Sequence, residues 1–259
     1  MHENRLKGKT ALITGASAGI GEAIARALAR HGCHLILTGR RMERLEKLAR
    51  ELEENEAVAV VAEPMDVTRK EEVEARLAPL LERHEIDILV NNAGLALGLE
   101  PLDQGKIEQW ERMIDTNIKG LLYVSRLVMA QMRSRDRGHI LNMGSIAGET
   151  AYPGGNVYCA TKAAVHMLSE AMNADAFGTK IRIGTIAPGA VDTEFSDVRF
   201  GGDRAKRDAV YEGYEPLSAE DIADLALYIL NAPTHVNIQH TRIMPTAQRN
   251  PYLLYRETE

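Results

Sequence analysis

Two cysteines in 259 residues leave little scope for covalent cross-linking. Cys33 and Cys159 lie far apart, each without a nearby Cys or His at zinc-finger spacing, so neither a disulfide framework nor a metal site is indicated. The eight histidines form no HExxH or comparable ligand pattern and are read as structural or surface residues. Positive charge is also short: 31 Lys and Arg against 37 Asp and Glu give a formal net charge of -6. With no basic stripe, this argues against a nucleic acid partner. Long apolar runs are missing as well. The opening MHENRLKGK has no apolar h-region, and no later run approaches the roughly 20 apolar residues that span a bilayer, so a cytoplasmic protein with no membrane partner is expected. No Pro, Gly or Ser run, charge block or internal repeat marks a boundary, and 1–259 reads as one domain.

What is present is alternation. Short runs rich in Val, Ile and Leu at 10–14, 33–38, 57–62, 86–91, 138–143, 180–187 and 236–244 read as strands covered on both faces. Amphipathic stretches at 19–31, 41–54, 69–83, 106–133, 155–177 and 218–230 read as the crossover helices between them. The predicted fold class is α/β: a doubly wound, mostly parallel seven-stranded Rossmann sheet, with ligands above its carboxyl edge.

The first strand runs into TGASAGIG, which puts Gly15, Gly19 and Gly21 with Ser17, Ala18 and Ile20 on the turn into the first helix. Glycines let the backbone approach a pyrophosphate, and a helix N-terminus favours its charge. The spacing is GxxxGxG, not the GxGxxG of the common dinucleotide fingerprint. The second strand ends in Thr38, Gly39, Arg40 and Arg41, with no acidic residue to take a free ribose 2'-hydroxyl. Two guanidiniums offer forked donors for a 2'-phosphate, which points to NADP over NAD. Asp66 and Val67 close the third strand beside the expected adenine pocket, and Asn91, Asn92, Ala93 and Gly94 end the fourth.

Tyr158 and Lys162 stand four apart on a predicted helix, about 6 Å along its axis and on nearly the same face. A free phenol has a pKa of about 10, and lowering it to about 7 needs roughly 4 kcal/mol. A close ammonium together with a bound cationic nicotinamide is the expected source. Ser145 would hydrogen bond the reacting oxygen, completing a proton relay for alcohol and carbonyl chemistry. Tyr252 and Arg256 repeat the spacing, yet arginine barely titrates and Gln239, not a serine, stands thirteen residues before Tyr252. Only the Tyr158 site has all three parts.

From about 10 to 244 the chain resembles the short-chain dehydrogenase/reductase family. The resemblance makes TGASAGIG the glycine motif and matches Asn117, Ser145, Tyr158 and Lys162 to the family's catalytic tetrad. It implies that Tyr158 exchanges a proton with substrate oxygen while hydride moves to or from nicotinamide. Lys162 would also bind the nicotinamide ribose, Ser145 would place the substrate, and Asn117 would hold a water joining Lys162 to solvent. PGAVDTEF, with Pro188, Gly189, Val191 and Thr193, resembles the segment that holds the nicotinamide carboxamide. The phrases NNAGLALGLEP, MIDTN, GGNVYCATKA and TEFSDVRFGGD resemble a bacterial branch of NADP-dependent homotetramers. That branch oxidises 3-hydroxy acids such as serine and allo-threonine and reduces malonic semialdehyde or sulfoacetaldehyde.

An acidic substrate needs a cation, because a desolvated carboxylate without a partner is costly. Arg199, Arg204, Lys206 and Arg207 fall in 195–215, a weakly periodic segment read as a lid, and Arg199 between Val198 and Phe200 is the favoured substrate contact. Ala163, Ala164, Met167, Leu168 and Ala171 form a small apolar helix face that either packs inside the subunit or, as the resemblance suggests, between copies in a tetramer. Two other functions stay open: reduction of 3-oxoacyl or other carbonyl substrates on the same scaffold, and NADP binding without turnover. The tail NPYLLYRETE fits no motif.

Overall fold

Alternate residues of each central strand pack into two different cores, which is why the strands read as continuous apolar runs. Ala11 and Ile13 of β1 (Thr10–Thr14) join one core while Leu12 joins the other, and Leu35, Ile36 and Leu37 of β2 (His34–Gly39) divide the same way. In this computed structural model, which describes residues 3–257, seven strands form one sheet in the order β3-β2-β1-β4-β5-β6-β7. The remaining strands are β3 (Val60–Pro64), β4 (Ile88–Asn91), β5 (Gly138–Met143), β6 (Ile181–Pro188) and β7 (His240–Ile243). Every pairing is parallel, so the mostly parallel sheet expected from sequence is wholly so.

One face is covered by α1 (Gly19–Arg30), α2 (Met42–Glu56) and α9 (Ala219–Leu230), the other by α3 (Lys70–Arg83), α5 (Leu121–Ser134) and α6 (Asn156–Asp175). Between β1 and β4 the chain order reverses, and the two strands splay apart at their carboxyl ends into a cleft.

Four departures from the expected elements have local causes. The second helix continues to Glu56 and stops where Ala57 turns left-handed at φ 52°, so β3 starts at Val60. The last strand is four residues long, because Val236 closes a turn on Pro233. The predicted helix over 106–133 is divided into α4 (Ile107–Ile114) and α5 by a wide π-type turn, Asp115–Gly120. The weakly periodic segment forms two short helices, α7 (Glu194–Arg199) and α8 (Arg204–Tyr211), capped by the side chains of Thr193 and Asp203. No helix among the described residues is long and apolar enough to cross a membrane.

Candidate active site

The cleft has a volume of about 340 Å³ and gathers most of the residues singled out from sequence. Its floor is the β1–α1 turn, where Gly15, Ser17, Ala18, Gly19 and Ile20 line the wall. Ala18, the residue before α1, supplies no side-chain cap, so the first N–H groups of the helix stay free for an anion. Gly15 turns at φ 66°, a region that favours glycine. A methyl at Gly21 would lie 2.4 Å from Asn92 Nδ2 and 2.5 Å from Gly15 O, so Gly21 serves close packing behind the turn and does not line the cleft.

Arg40, Arg41, Asp66, Val67, Asn92, Ala93 and Gly94 line the same cleft. Arg41 donates to the Ser17 hydroxyl at 3.2 Å and pairs with Glu194 at 2.8 Å. Asp66 accepts from the amide and hydroxyl of Thr68, which fixes the bend after β3. Asn92 ties β4 to the glycine turn by donating to the carbonyls of Thr14 and Gly15. Asn91, expected at the cofactor, instead points into the sheet: it donates to Ser125 Oγ and Asn142 Oδ1, both at 2.8 Å, and does not line the cleft. On the opposite wall stand Pro188, Gly189, Val191 and Thr193.

Ser145, Tyr158 and Lys162 meet where the two walls join. Lys162 Nζ lies 6.0 Å from the Tyr158 ring centre and donates to the Met143 carbonyl at 2.8 Å. Both side chains are buried, and burial disfavours each ion: it pushes the Lys162 ammonium down to about 8 and the Tyr158 phenol well above its usual value. Tyr152 pushes the phenol further up, while the Ser145 hydroxyl and Arg199 pull it back. Lys162 therefore does not acidify Tyr158 in this environment. Its amine is turned toward a backbone carbonyl, and its own charge is destabilised by the same dry surroundings.

Asn117 lies outside the cleft wall, in the wide turn, with its amide oxygen accepting from Leu95 N at 2.9 Å. Its amide nitrogen donates to Leu95 O at 2.9 Å and to Thr161 Oγ1 at 3.0 Å. It thereby joins the loop after β4 to α6 one residue from Lys162.

Arg199 is the most telling placement. Its guanidinium carbon lies 5.5 Å from the Tyr152 ring and 5.7 Å from the Tyr158 ring, and its Nε donates to Gly98 O at 3.4 Å. Tyr152 is close enough for the arginine to oppose the upward push of burial on its phenol. Even so, the buried NH2 group of Arg199 has no hydrogen-bond acceptor of ordinary geometry. A buried, unmatched cationic donor is expensive, so one beside Tyr158 marks a place for an anion.

Sequence reading passed over several contributors. Tyr152, Phe195 and Leu95 build the pocket, with the Phe195 and Tyr158 ring centres 5.8 Å apart, and Glu194 lies on the cofactor wall. The signal for Glu194 and Phe195 was available in PGAVDTEF, whereas nothing in the local pattern marked Tyr152. His166 accepts from the Ser145 amide at 3.3 Å and stacks edge-on against His240. His166, His240 and Glu149 bring ligand-type atoms within 4.8 Å of one another, a cluster invisible in sequence spacing. Those atoms are already engaged, since Arg242 and His240 bond Glu149. Both cysteines are buried and free.

The comparisons agree with this geometry. Residues 9–201 match the model of the family described as short chain dehydrogenase, and the chain belongs to that family. Among curated proteins it is 48% identical over 239 residues to the NADP-dependent 3-hydroxy acid dehydrogenase YdfG of Salmonella typhi, covering 92% of this chain and 95% of that one. It is 42% identical over 256 residues to the NADP-dependent 3-hydroxy acid dehydrogenase of Schizosaccharomyces pombe, covering 98% and 99% respectively. Among solved structures, the closed form of serine dehydrogenase complexed with NADP+ superposes with a TM-score of 0.88 at 43% identity, covering 96% of this chain and all of that one.

Proposed function

We propose that the protein is an NADP-dependent oxidoreductase that interconverts short 3-hydroxy acids and their carbonyl forms, with serine, allo-threonine, 3-hydroxypropanoate and malonic semialdehyde as the substrate type. The observation that carries the substrate class is the buried NH2 of Arg199, unmatched and beside Tyr158. The names of the relatives, which print NADP and 3-hydroxy acid, support the same reading.

The cleft fits the cofactor: the uncapped start of α1 suits the pyrophosphate, and Arg40 and Arg41 suit a 2'-phosphate. Asp66 and Val67 would flank the adenine, while Pro188, Gly189, Val191 and Thr193 would hold the nicotinamide end. The bound nicotinamide accepts or delivers hydride and, when oxidised, carries positive charge.

Arg199 holds the substrate carboxylate by a charge-assisted pair, which sets the hydroxyl-bearing carbon one bond further on against Ser145 and Tyr158. Ser145 donates to or accepts from the reacting oxygen. Tyr158 takes the hydroxyl proton in oxidation and returns it in reduction, and Lys162 with Asn117 passes it toward solvent. Because burial raises the phenol, ionisation of Tyr158 is tied to the presence of cationic groups in the filled cleft, Arg199 among them. The segment 195–215 acts as the lid that excludes water over this pair.

Replacing Arg199 by Met should raise the Michaelis constant for serine or 3-hydroxypropanoate about 10- to 100-fold. Tyr158→Phe should reduce turnover at least about 100-fold while leaving NADP binding in place. An unaltered Michaelis constant in the arginine variant would remove the acid assignment, and full-speed catalysis in the phenylalanine variant would remove the proton relay. Faster turnover of an acetoacetyl thioester than of L-allo-threonine would favour a 3-oxoacyl reductase instead.

The small apolar face of α6 is turned outward: Met167 is 64% exposed, with Ala163 and Ala171 also exposed, so it does not pack inside the subunit. Leu122 of α5 and Phe177 add exposed apolar surface on the same side of the sheet. This favours self-association through α5 and α6 into a tetramer, and a monomer mass by light scattering would remove it.

A further inference from the structure

The carboxylate of Glu194 bridges two guanidiniums. One oxygen pairs with Arg41 NH1 at 2.8 Å and the other with Arg44 NH1 at 2.6 Å. Arg41 is held from its other side by the Ser17 hydroxyl at 3.2 Å and the Ser17 carbonyl at 3.4 Å. The two arginines keep the Glu194 carboxyl below its usual range, so it is ionised at neutral pH. Glu194 opens α7, and its neighbour Thr193 rests against the glycine turn, 3.3 Å from where a side chain on Gly19 would begin. The whole arrangement lies on the cleft wall, with Arg40 alongside and without an ion-pair partner among the described residues.

We propose that Glu194 is an internal stand-in for the 2'-phosphate of the cofactor: it occupies Arg41 and Arg44 in the free protein and weakens NADP binding without weakening NAD binding. The proposal rests on the reading that Arg41 receives that phosphate. A phosphate monoester brings a charge of about -1.5 to -2 to the guanidinium that Glu194 already neutralises. The two anions compete for one fork of donors, and whichever share they reach, they repel each other. NAD presents a neutral hydroxyl there and has nothing to displace. The three side chains are each about half exposed, so water and salt keep the competition modest. A weaker grip is useful to an enzyme that must exchange its cofactor every turnover, and the carboxylate supplies it while preserving the forked donors that distinguish the two cofactors.

The test is a set of binding titrations by calorimetry with NADP, NAD and adenosine 2'-monophosphate on the full chain. The wild type, Glu194→Gln, Arg41→Ala and the double variant are compared at low and high salt. Glu194→Gln should tighten NADP and adenosine 2'-monophosphate by about two- to fivefold at low salt, leave NAD unchanged, and lose most of the gain at high salt. The double variant should show none of this gain. Weaker or unaltered NADP binding in Glu194→Gln, or an equal change for NADP and NAD, overturns the proposal, the last by showing a strap over the part common to both. If Arg41→Ala alone leaves the NADP to NAD ratio untouched, the phosphate assignment itself fails. If it shifts that ratio while Glu194→Gln does nothing, only the role of Glu194 fails.

Discussion

The β1–α1 turn and the α7–α8 segment face each other across one cleft and are held in place by opposite means. The turn is fixed by shape: Gly15 and Gly21 admit contacts that any side chain would prevent, and Asn92 closes the gap with two hydrogen bonds to backbone. The α7–α8 segment is fixed by charge. Arg207 reaches Asp192 at 3.0 Å and Asp197 at 3.3 Å, Glu194 reaches across to Arg41 and Arg44, and α8 has no buried residue. A wall set by sterics has one position, whereas one set by half-exposed ion pairs can shift at small cost. Binding diphosphate on the first and closing on substrate with the second is the division of labour this contrast supports.

The sharpest way to break the contrast is to spoil the rigid side. Gly21→Ala should destabilise the protein by about 2–3 kcal/mol and weaken NADP at least about tenfold, at any salt concentration, in denaturant and binding titrations. A variant of wild-type stability would show that the turn yields as easily as the lid.

Next in size is the titration of Lys162. Its amine is held at about 8 in the fold against 10.5 when free, so the unfolded chain binds the additional proton between those values. Stability from this group is lowest below about pH 8 and rises as pH climbs toward 10.5, by about 3 kcal/mol in all. Lys162→Met should remove that rise from denaturation curves taken across the window. If both proteins give the same pH slope, burial does not control this amine.

The smallest effects belong to the mobile side. The folded pKa values of Glu194 and Asp203 lie below their ordinary values, so their support is present above the ordinary carboxylate range and is lost as pH falls through it. Amide protection in α7 and α8 should fall with acid or with 1 M salt while that of α1 holds. Arg207→Gln should move the unfolding midpoint by no more than about 2 °C while loosening the same two helices. Equal loss of protection in α1 would erase the difference between the walls.

Much of this was legible in the chain. Strands with two apolar faces, the glycine turn, the missing acidic residue after β2 and the Ser145, Tyr158 and Lys162 constellation are short-range signals, and the fold assembles them as expected. Less legible were features made by distant pairs. Asn91 ends its strand next to Asn92, yet the pleat turns it toward Ser125 and Asn142, so adjacent asparagines serve different ends. The Tyr158–Lys162 spacing placed both groups well, but spacing carries no information on burial, and burial sets their pKa values. Arg199 could be singled out by its apolar neighbours, while its partner Tyr152 could not, because their meeting depends on α7 folding back over the start of α6. The tail, without a motif, packs by long-range contacts: Glu257 N bonds Gly213 O at 2.7 Å and Arg256 stacks on Tyr214, so the Tyr252–Arg256 pair is no second relay.

The wide turn at Asp115–Gly120 has a consequence for helix phase. One residue more or fewer rotates everything downstream by about 100°. An unbroken α-helix over 107–134 would align the inward faces of α4 and α5 and leave no inward place for a polar amide between them. Loosening the spiral for six residues lets Met113 before it and Leu121, Val124 and Val128 after it all stay buried while Asn117 also turns inward. Deleting a single residue there would give a more regular rod whose two halves could no longer both seat, and the first thing lost would be the clasp on Leu95 and Thr161.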